Sequence, residues 1–110
     1  MRLFAKLRAA REFERLHMEA LNRLEDFDLV REIGFHQEQG APLTMKKLYL
    51  LDLGSVATIQ RRLRRLRKLG LIDQKRSSDD RRTVELALSP KLLKVFAKYA
   101  VILAAAPEQA

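Results

Sequence analysis

The run from Gly54 to Gly70, GSVATIQRRLRRLRKLG, leaves the chain few folds to choose from. Ser55 can cap a helix by accepting from a backbone N–H of its first turn, and Gly70 can end it. Val56, Ile59, Leu63 and Leu66 recur at helical spacing and give one face to a core. At about 100° per residue, Ala57, Thr58, Arg61, Arg64, Arg65 and Lys68 fall on the opposite side. That face starts small and polar and continues cationic. A helix of this kind can enter a DNA major groove by its N-terminal end and hold the phosphate walls with its later turns. The bland alternative is a solvated cationic surface.

The charge distribution argues for the specific alternative. The chain has 110 residues and a formal net charge of +8. Residues 1–54 carry nine Lys+Arg and nine Asp+Glu, whereas residues 55–90 carry ten and four. The excess is centred on the basic helix and the segment after it, so an acidic partner is expected there. The chain lacks cysteine, which excludes disulfides, thiolate chemistry and Cys-ligated zinc. Met1 to Arg8 breaks its apolar residues with charge too often for a secretory segment, and the longest apolar run, Tyr99 to Ala106, is too short to span a bilayer. The expectation is one soluble cytoplasmic domain over residues 1–110, without a membrane partner.

The order of elements narrows the fold. Residues 2–25 alternate charge with Leu3, Phe4, Leu7, Ala10, Phe13, Leu16, Ala20, Leu21 and Leu24, which predicts a long amphipathic helix. Asp26-Phe27-Asp28 offers a cap for a second helix with Leu29, Val30 and Ile33. Gly40-Ala41-Pro42 breaks the chain, and Thr44 can cap a short helix containing Lys47, Leu48, Leu50 and Leu51. Asp52-Leu53-Gly54 makes a tight turn into Ser55, a helix-turn-helix order. Beyond Gly70, Leu71 to Lys75 and Thr83 to Leu88 read as strands around a polar tip, Arg76 to Asp80. Ser89-Pro90 starts a last helix over residues 90–106, with Leu92, Phe96, Tyr99 and Leu103 on one face. Tyr99 to Ala106 is apolar all round, fitting either a dimer contact with the N-terminal helix or closure of the monomer core. Pro107 to Ala110 reads as a frayed tail. The fold class is mainly α with a small β-hairpin wing, a winged helix-turn-helix.

Three linked pieces make the chain resemble the MarR-type winged-helix transcription regulators. They are the helix from Ser55 with its exit Lys68-Leu69-Gly70-Leu71-Ile72, the triplet Asp80-Arg81-Arg82, and Leu88-Ser89 before the next helix. They span residues 44–89 in the family's order. The resemblance implies that Ser55, Thr58 and Arg61 lie nearest base edges and Arg62, Arg64 and Arg65 nearer phosphate. It implies that Arg82 is a wing-tip arginine reaching a minor groove and Asp80 the carboxylate that orients it. On residue type alone, Asp80 and Arg82 would also suit an ordinary exposed ion pair in a turn. Ala57, Lys68, Lys75 and Arg76 complete the expected DNA-binding set. Family members usually have two helices after the wing; this chain has room for one, a departure that bears on the dimer interface and the small-molecule pocket.

Other chemistries find little to use. His17 and His36 lack metal-ligand spacing, Gly54-Ser55 lacks the flanks of a nucleophile elbow, and four scattered glycines make no phosphate-cradling loop. No catalytic residue, metal or cofactor is expected, and no residue points to a small-molecule effector. The expected function is a sequence-specific double-stranded DNA-binding regulator, a homodimer on a near-palindromic site. Helices 1–25 and 90–106 would supply the dimer contact. Two alternatives are a winged-helix interaction module of a replication or plasmid-maintenance complex with non-specific nucleic-acid affinity, and a double-stranded RNA binder. The small helix start at Ala57 and Thr58 favours base reading, which a purely electrostatic module does not need.

Overall fold

A computed structural model describes residues 2–104. Five helices and one hairpin follow in order: α1 (Leu3–His17), α2 (Leu24–Glu38), α3 (Met45–Leu50), α4 (Val56–Lys68), β1 (Ile72–Arg76), β2 (Val84–Leu88) and α5 (Pro90–Ala104). This is the winged helix-turn-helix expected from the sequence. Residues 105 and 106 of the expected last helix, and the expected tail Pro107 to Ala110, lie outside the described residues. Among the described residues no helix is long and apolar enough to cross a membrane, and no three His, Cys, Asp or Glu side chains group as metal ligands would.

One expectation needs correcting. The single helix over residues 2–25 is two elements, because α1 stops at His17 and α2 starts at Leu24. No glycine or proline marks the break. Asp26 makes it, but not as the cap of a helix that follows it. It sits in the first turn of α2, and its Oδ2 accepts backbone N–H groups of Asn22 and Arg23 at 3.1 and 3.2 Å. A carboxylate reaching back to the N-cap amide is half of a capping box. Met18 and Leu21, in the connecting turn, are buried and hold it against the body.

The other boundaries follow their local chemistry. Thr44 Oγ1 accepts from Lys47 N, Ser55 Oγ from Thr58 N, and Ser89 Oγ from Leu92 N, so three helices start at side-chain caps. Gly70 ends α4 at φ +75°, with Leu71 N bonded to Leu66 O and Gly70 N to Arg67 O. That pattern is a Schellman motif, whose left-handed residue suits glycine. Leu29, Ile33, Leu43, Leu48, Leu63, Leu66, Ile72 and Leu86 are the centre of the core, contributed by α2, α3 and the segment leading into it, α4 and the hairpin. Val56, expected in this core, is instead half exposed at the first turn of α4.

The wing is an antiparallel pair with Ile72 opposite Leu88 and Arg76 opposite Val84. A single bridge adds Thr44 opposite Glu85, and Leu86 N donates to Leu43 O at 2.9 Å. The residues that lead into α3 are therefore hydrogen-bonded to the wing. On the other side, Leu88 N donates to Gln37 Oε1 of α2 at 2.8 Å.

α1 packs on α5 through Phe13 and Tyr99, whose ring centroids lie 5.4 Å apart. Tyr99 O–H donates to Glu14 Oε2 at 2.5 Å. Burial first, then the hydrogen bond to Glu14, pushes the Tyr99 phenol up to about 12. A pKa raised on folding gives stability that is complete below the ordinary tyrosine value and is lost as pH climbs through the folded one. The Tyr99 contribution to unfolding free energy should thus be constant around neutrality and fall between about pH 10 and 12. Chemical denaturation of the wild type and Tyr99→Phe across that range checks it. The variant should lose part of this fall, and an identical slope would show that Tyr99 does not titrate with unfolding.

Candidate nucleic-acid interface

The turn before α4 is built for a sharp change of direction. Asp52 adopts φ +56°, a left-handed conformation that aspartate tolerates better than most residues. Ser55 then accepts from Thr58 N and donates to Thr58 Oγ1 at 2.9 Å, so both hydroxyls at the tip of α4 are engaged with each other. Ile59, Leu63 and Leu66 turn inward, which fixes the rotation of the helix. Ala57, Arg61, Arg64 and Lys68 are exposed on the side away from the core, and Thr58 is half-buried beside them. Among the described residues, none of these cations is held in an ion pair.

The arginines of α4 divide into two kinds, a split that residue type does not reveal. Arg62 and Arg65, expected near phosphate, point toward the α1–α2 turn. Arg62 donates through Nε to Asp26 Oδ1 at 2.8 Å, and through Nη2 to Asp26 Oδ2 at 2.5 Å and Asn22 Oδ1 at 2.7 Å. Its side chain is 13% exposed and that of Asp26 is fully buried. The bond to Asp26 raises the Arg62 pKa further, against the opposing effect of burial. Arg65 donates through Nη1 to Ala20 O at 2.6 Å and lies 3.6 Å from Asp26 Oδ2. The geometry is that of a bidentate buried pair with a second arginine at its edge. These two residues fasten the helix to the body; Arg61, Arg64 and Lys68 are left to face outward.

The wing also departs in detail from what the resemblance implies. Arg82 is exposed near the hairpin tip, but Asp80 does not hold its guanidinium. Asp80 Oδ1 accepts from the Arg82 backbone N–H at 3.0 Å, and Oδ2 from Thr83 Oγ1 at 3.1 Å. Asp80 thus orients the turn that carries Arg82, through backbone geometry. Arg76 donates to Arg81 O at 2.6 Å and braces the same tip, which gives it a structural task beside the expected binding one. Lys75 is exposed on β1.

Sequence reasoning passed over two groups. Lys46 and Lys47 lie in the first turn of α3, and with Thr44, Leu50, Arg82 and Thr83 they line a groove of about 670 Å³ between α3 and the wing. Lysines at a helix N-terminus oppose the helix dipole, whose positive end favours anions, and that unfavourable placement was the available signal. Arg67, Arg64 and Lys68 line a second groove with Ile72, Asp73 and Gln74 of β1. The Lys46–Lys47 pair and Arg82 thus line a groove at the tip end of the hairpin, and Arg64, Arg67 and Lys68 one at the base of β1. An α-helix fits a DNA major groove about 12 Å wide, and lysine and arginine beside it suit the phosphates of the groove walls.

No protein-family model and no curated protein sequence matches the chain. Solved structures do. MarR aligns with 92% of this chain over 77% of its own length, at 23% identity and a TM-score of 0.55. The transcriptional regulator BldR from Sulfolobus solfataricus aligns with 94% of the chain over 79% of its own, at 22% identity and a TM-score of 0.55. The transcriptional regulator PA4135 covers 94% of the chain with 76% of its own, at 16% identity and a TM-score of 0.58. At these identities the likeness is one of fold.

Proposed function

We propose, from the winged-helix fold that the chain shares with these regulators, that it is a sequence-specific double-stranded DNA-binding transcription regulator acting as a homodimer. One observation carries this: the Ser55-capped α4 turns Arg61, Arg64 and Lys68 outward while Arg62 and Arg65 are fastened inward. The inward pair ties α4 to the α1–α2 turn, so the cations left outward form one continuous face with the small residue Ala57 at its start. In this reading α4 lies in the major groove, with Ala57 and Arg61 nearest base edges. Arg64, Lys68, Lys46 and Lys47 meet phosphate, and Arg82 enters the adjacent minor groove, where an A·T-rich sequence concentrates negative potential.

The test is duplex binding as a function of salt, followed by selection from a random pool. Each neutralised phosphate contributes about −0.9 to the log–log slope of affinity against salt. With the outward cations named above, a slope between about −3 and −5 per subunit is expected. Lys46→Ala with Lys47→Ala should make it shallower by one to two such contributions, roughly −0.9 each. A slope near zero, or no enriched sequence in the selected pool, would overturn the proposal.

A further inference from the structure

We infer that Gln60, positioned by the Tyr49 hydroxyl, is a base-reading residue that selects adenine next to the base read by Arg61. This rests on the DNA-binding reading above and goes beyond it by naming a specificity determinant. Gln60 is exposed on the flank of α4, between the outward cations and α3. Its Nε2 donates to Tyr49 Oη at 3.2 Å. Tyr49 is half-buried on α3 and packed against the core, so the anchor is rigid even though the glutamine is at the surface.

The hydrogen-bond inventory gives the chemistry. A primary amide has two N–H donors and one carbonyl acceptor. Tyr49 takes one donor, leaving one N–H and Oε1, and these two form the edge that pairs bidentately with adenine N7 and N6. A free glutamine must give up side-chain rotamers to make such a pair, whereas a tethered one has already lost many of them. Because the tyrosine oxygen acts as acceptor, its own O–H remains free to donate to a phosphate oxygen. The contact thus joins a base-reading group on the second helix to a backbone-positioning group on the first. Arg61 is the next residue along α4 and turns farther outward, so the two side chains would address neighbouring base pairs.

The test compares base preferences selected from a random duplex pool by the wild type, Gln60→Ala, Gln60→Glu and Tyr49→Phe, with affinity for a fixed random duplex measured in parallel. The wild type should enrich adenine at one position of each half-site, and Gln60→Ala should flatten that position by about tenfold or more while leaving the others. Gln60→Glu, which only accepts, should move the preference toward cytosine, whose exocyclic amine donates. Tyr49→Phe should weaken the same position without changing which base is preferred. Binding to the random duplex should stay within about twofold for Gln60→Ala, which separates reading from phosphate attraction, whereas Gln60→Glu, which sets a carboxylate beside the phosphates, should weaken it on every sequence. An enriched site that Gln60→Ala leaves unchanged would overturn this inference and leave the regulator standing. Loss confined to Gln60 variants, with Tyr49→Phe unaltered, would overturn the positioning role. A wild type that binds duplex DNA and enriches no sequence would overturn both this inference and the reading beneath it.

Discussion

Replacing Asp26 with alanine should lower the stability of this protein by about 3–5 kcal/mol, the usual effect of removing one partner from a buried ion pair. The carboxylate is wholly buried and accepts four hydrogen bonds, two from backbone amides of the α1–α2 turn and two from Arg62. Without it, the Arg62 guanidinium is left in a place where water reaches it poorly, and the turn loses its capping acceptor. For a chain of this size the loss corresponds to a fall in Tm on the order of 15 °C, read by thermal denaturation. Arg62→Ala should be similarly destabilising, and the two changes together should lose clearly less than their sum. Arg64→Ala should lie within about 0.5 kcal/mol of the wild type, as befits an exposed side chain. DNA binding should show the reverse order at temperatures where all variants are folded. Equal stability of Asp26→Ala and Arg64→Ala would remove the distinction between the two kinds of arginine on α4.

The second large effect concerns assembly. A lone winged helix addresses few base pairs, and joining two on a twofold axis raises affinity for a matched site by about 10²–10⁴ through effective concentration. Leu93, Ala97, Ala100 and Ala104 lie on one flank of α5 and are exposed; Leu103 shares the side of the buried Leu92 and Tyr99 but is itself exposed in the last turn. At the start of α1, Leu3, Phe4 and Leu7 are also exposed. These exposed apolar side chains are the dimer contact in the proposed reading, and small alanines allow close helix approach. Leu103→Glu should convert a dimer at micromolar concentration to monomer and reduce specific DNA affinity by about 10²–10⁴-fold, with helix content unchanged. Ile102 is half-buried and packed against the core, so Ile102→Glu should unfold the domain. Sedimentation of the wild type as a monomer at that concentration would end the proposal. Unfolding of Leu103→Glu would place that residue in the core.

These expectations draw on a sequence that disclosed its local chemistry more readily than its long-range contacts. Ser55, Thr44 and Ser89 act within three residues of themselves, and Gly70 ends α4 through its own backbone, so spacing alone located four helix boundaries. The wing followed from alternation and a polar tip for the same reason. The α1–α2 break stayed hidden because Asp26 makes it jointly with an arginine 36 residues away. That one contact also decides which α4 arginines face outward, since a helical wheel gives the angle of Arg62 and Arg65 but not what waits beside them. Gln60 was passed over for a related reason: its partner, Tyr49, is on another helix.

On the proposed interface, the bridge from Thr44 to Glu85 would restrict the shape of DNA that fits. Since the strand bearing the wing is stitched to the start of the helix-turn-helix, the distance between the α4 tip and Arg82 is set by covalent and hydrogen-bonded geometry. The tip that carries Arg82 is itself braced, by Ser77 N donating to Thr83 O and by Asp80 accepting from Arg82 N. Two probes at a fixed separation act as a caliper. A duplex whose major groove is too wide, or whose next minor groove is displaced by altered twist, can satisfy one jaw but not both. On the proposed interface, the stiffness of the flanking sequence would then be sensed at base pairs that no side chain touches.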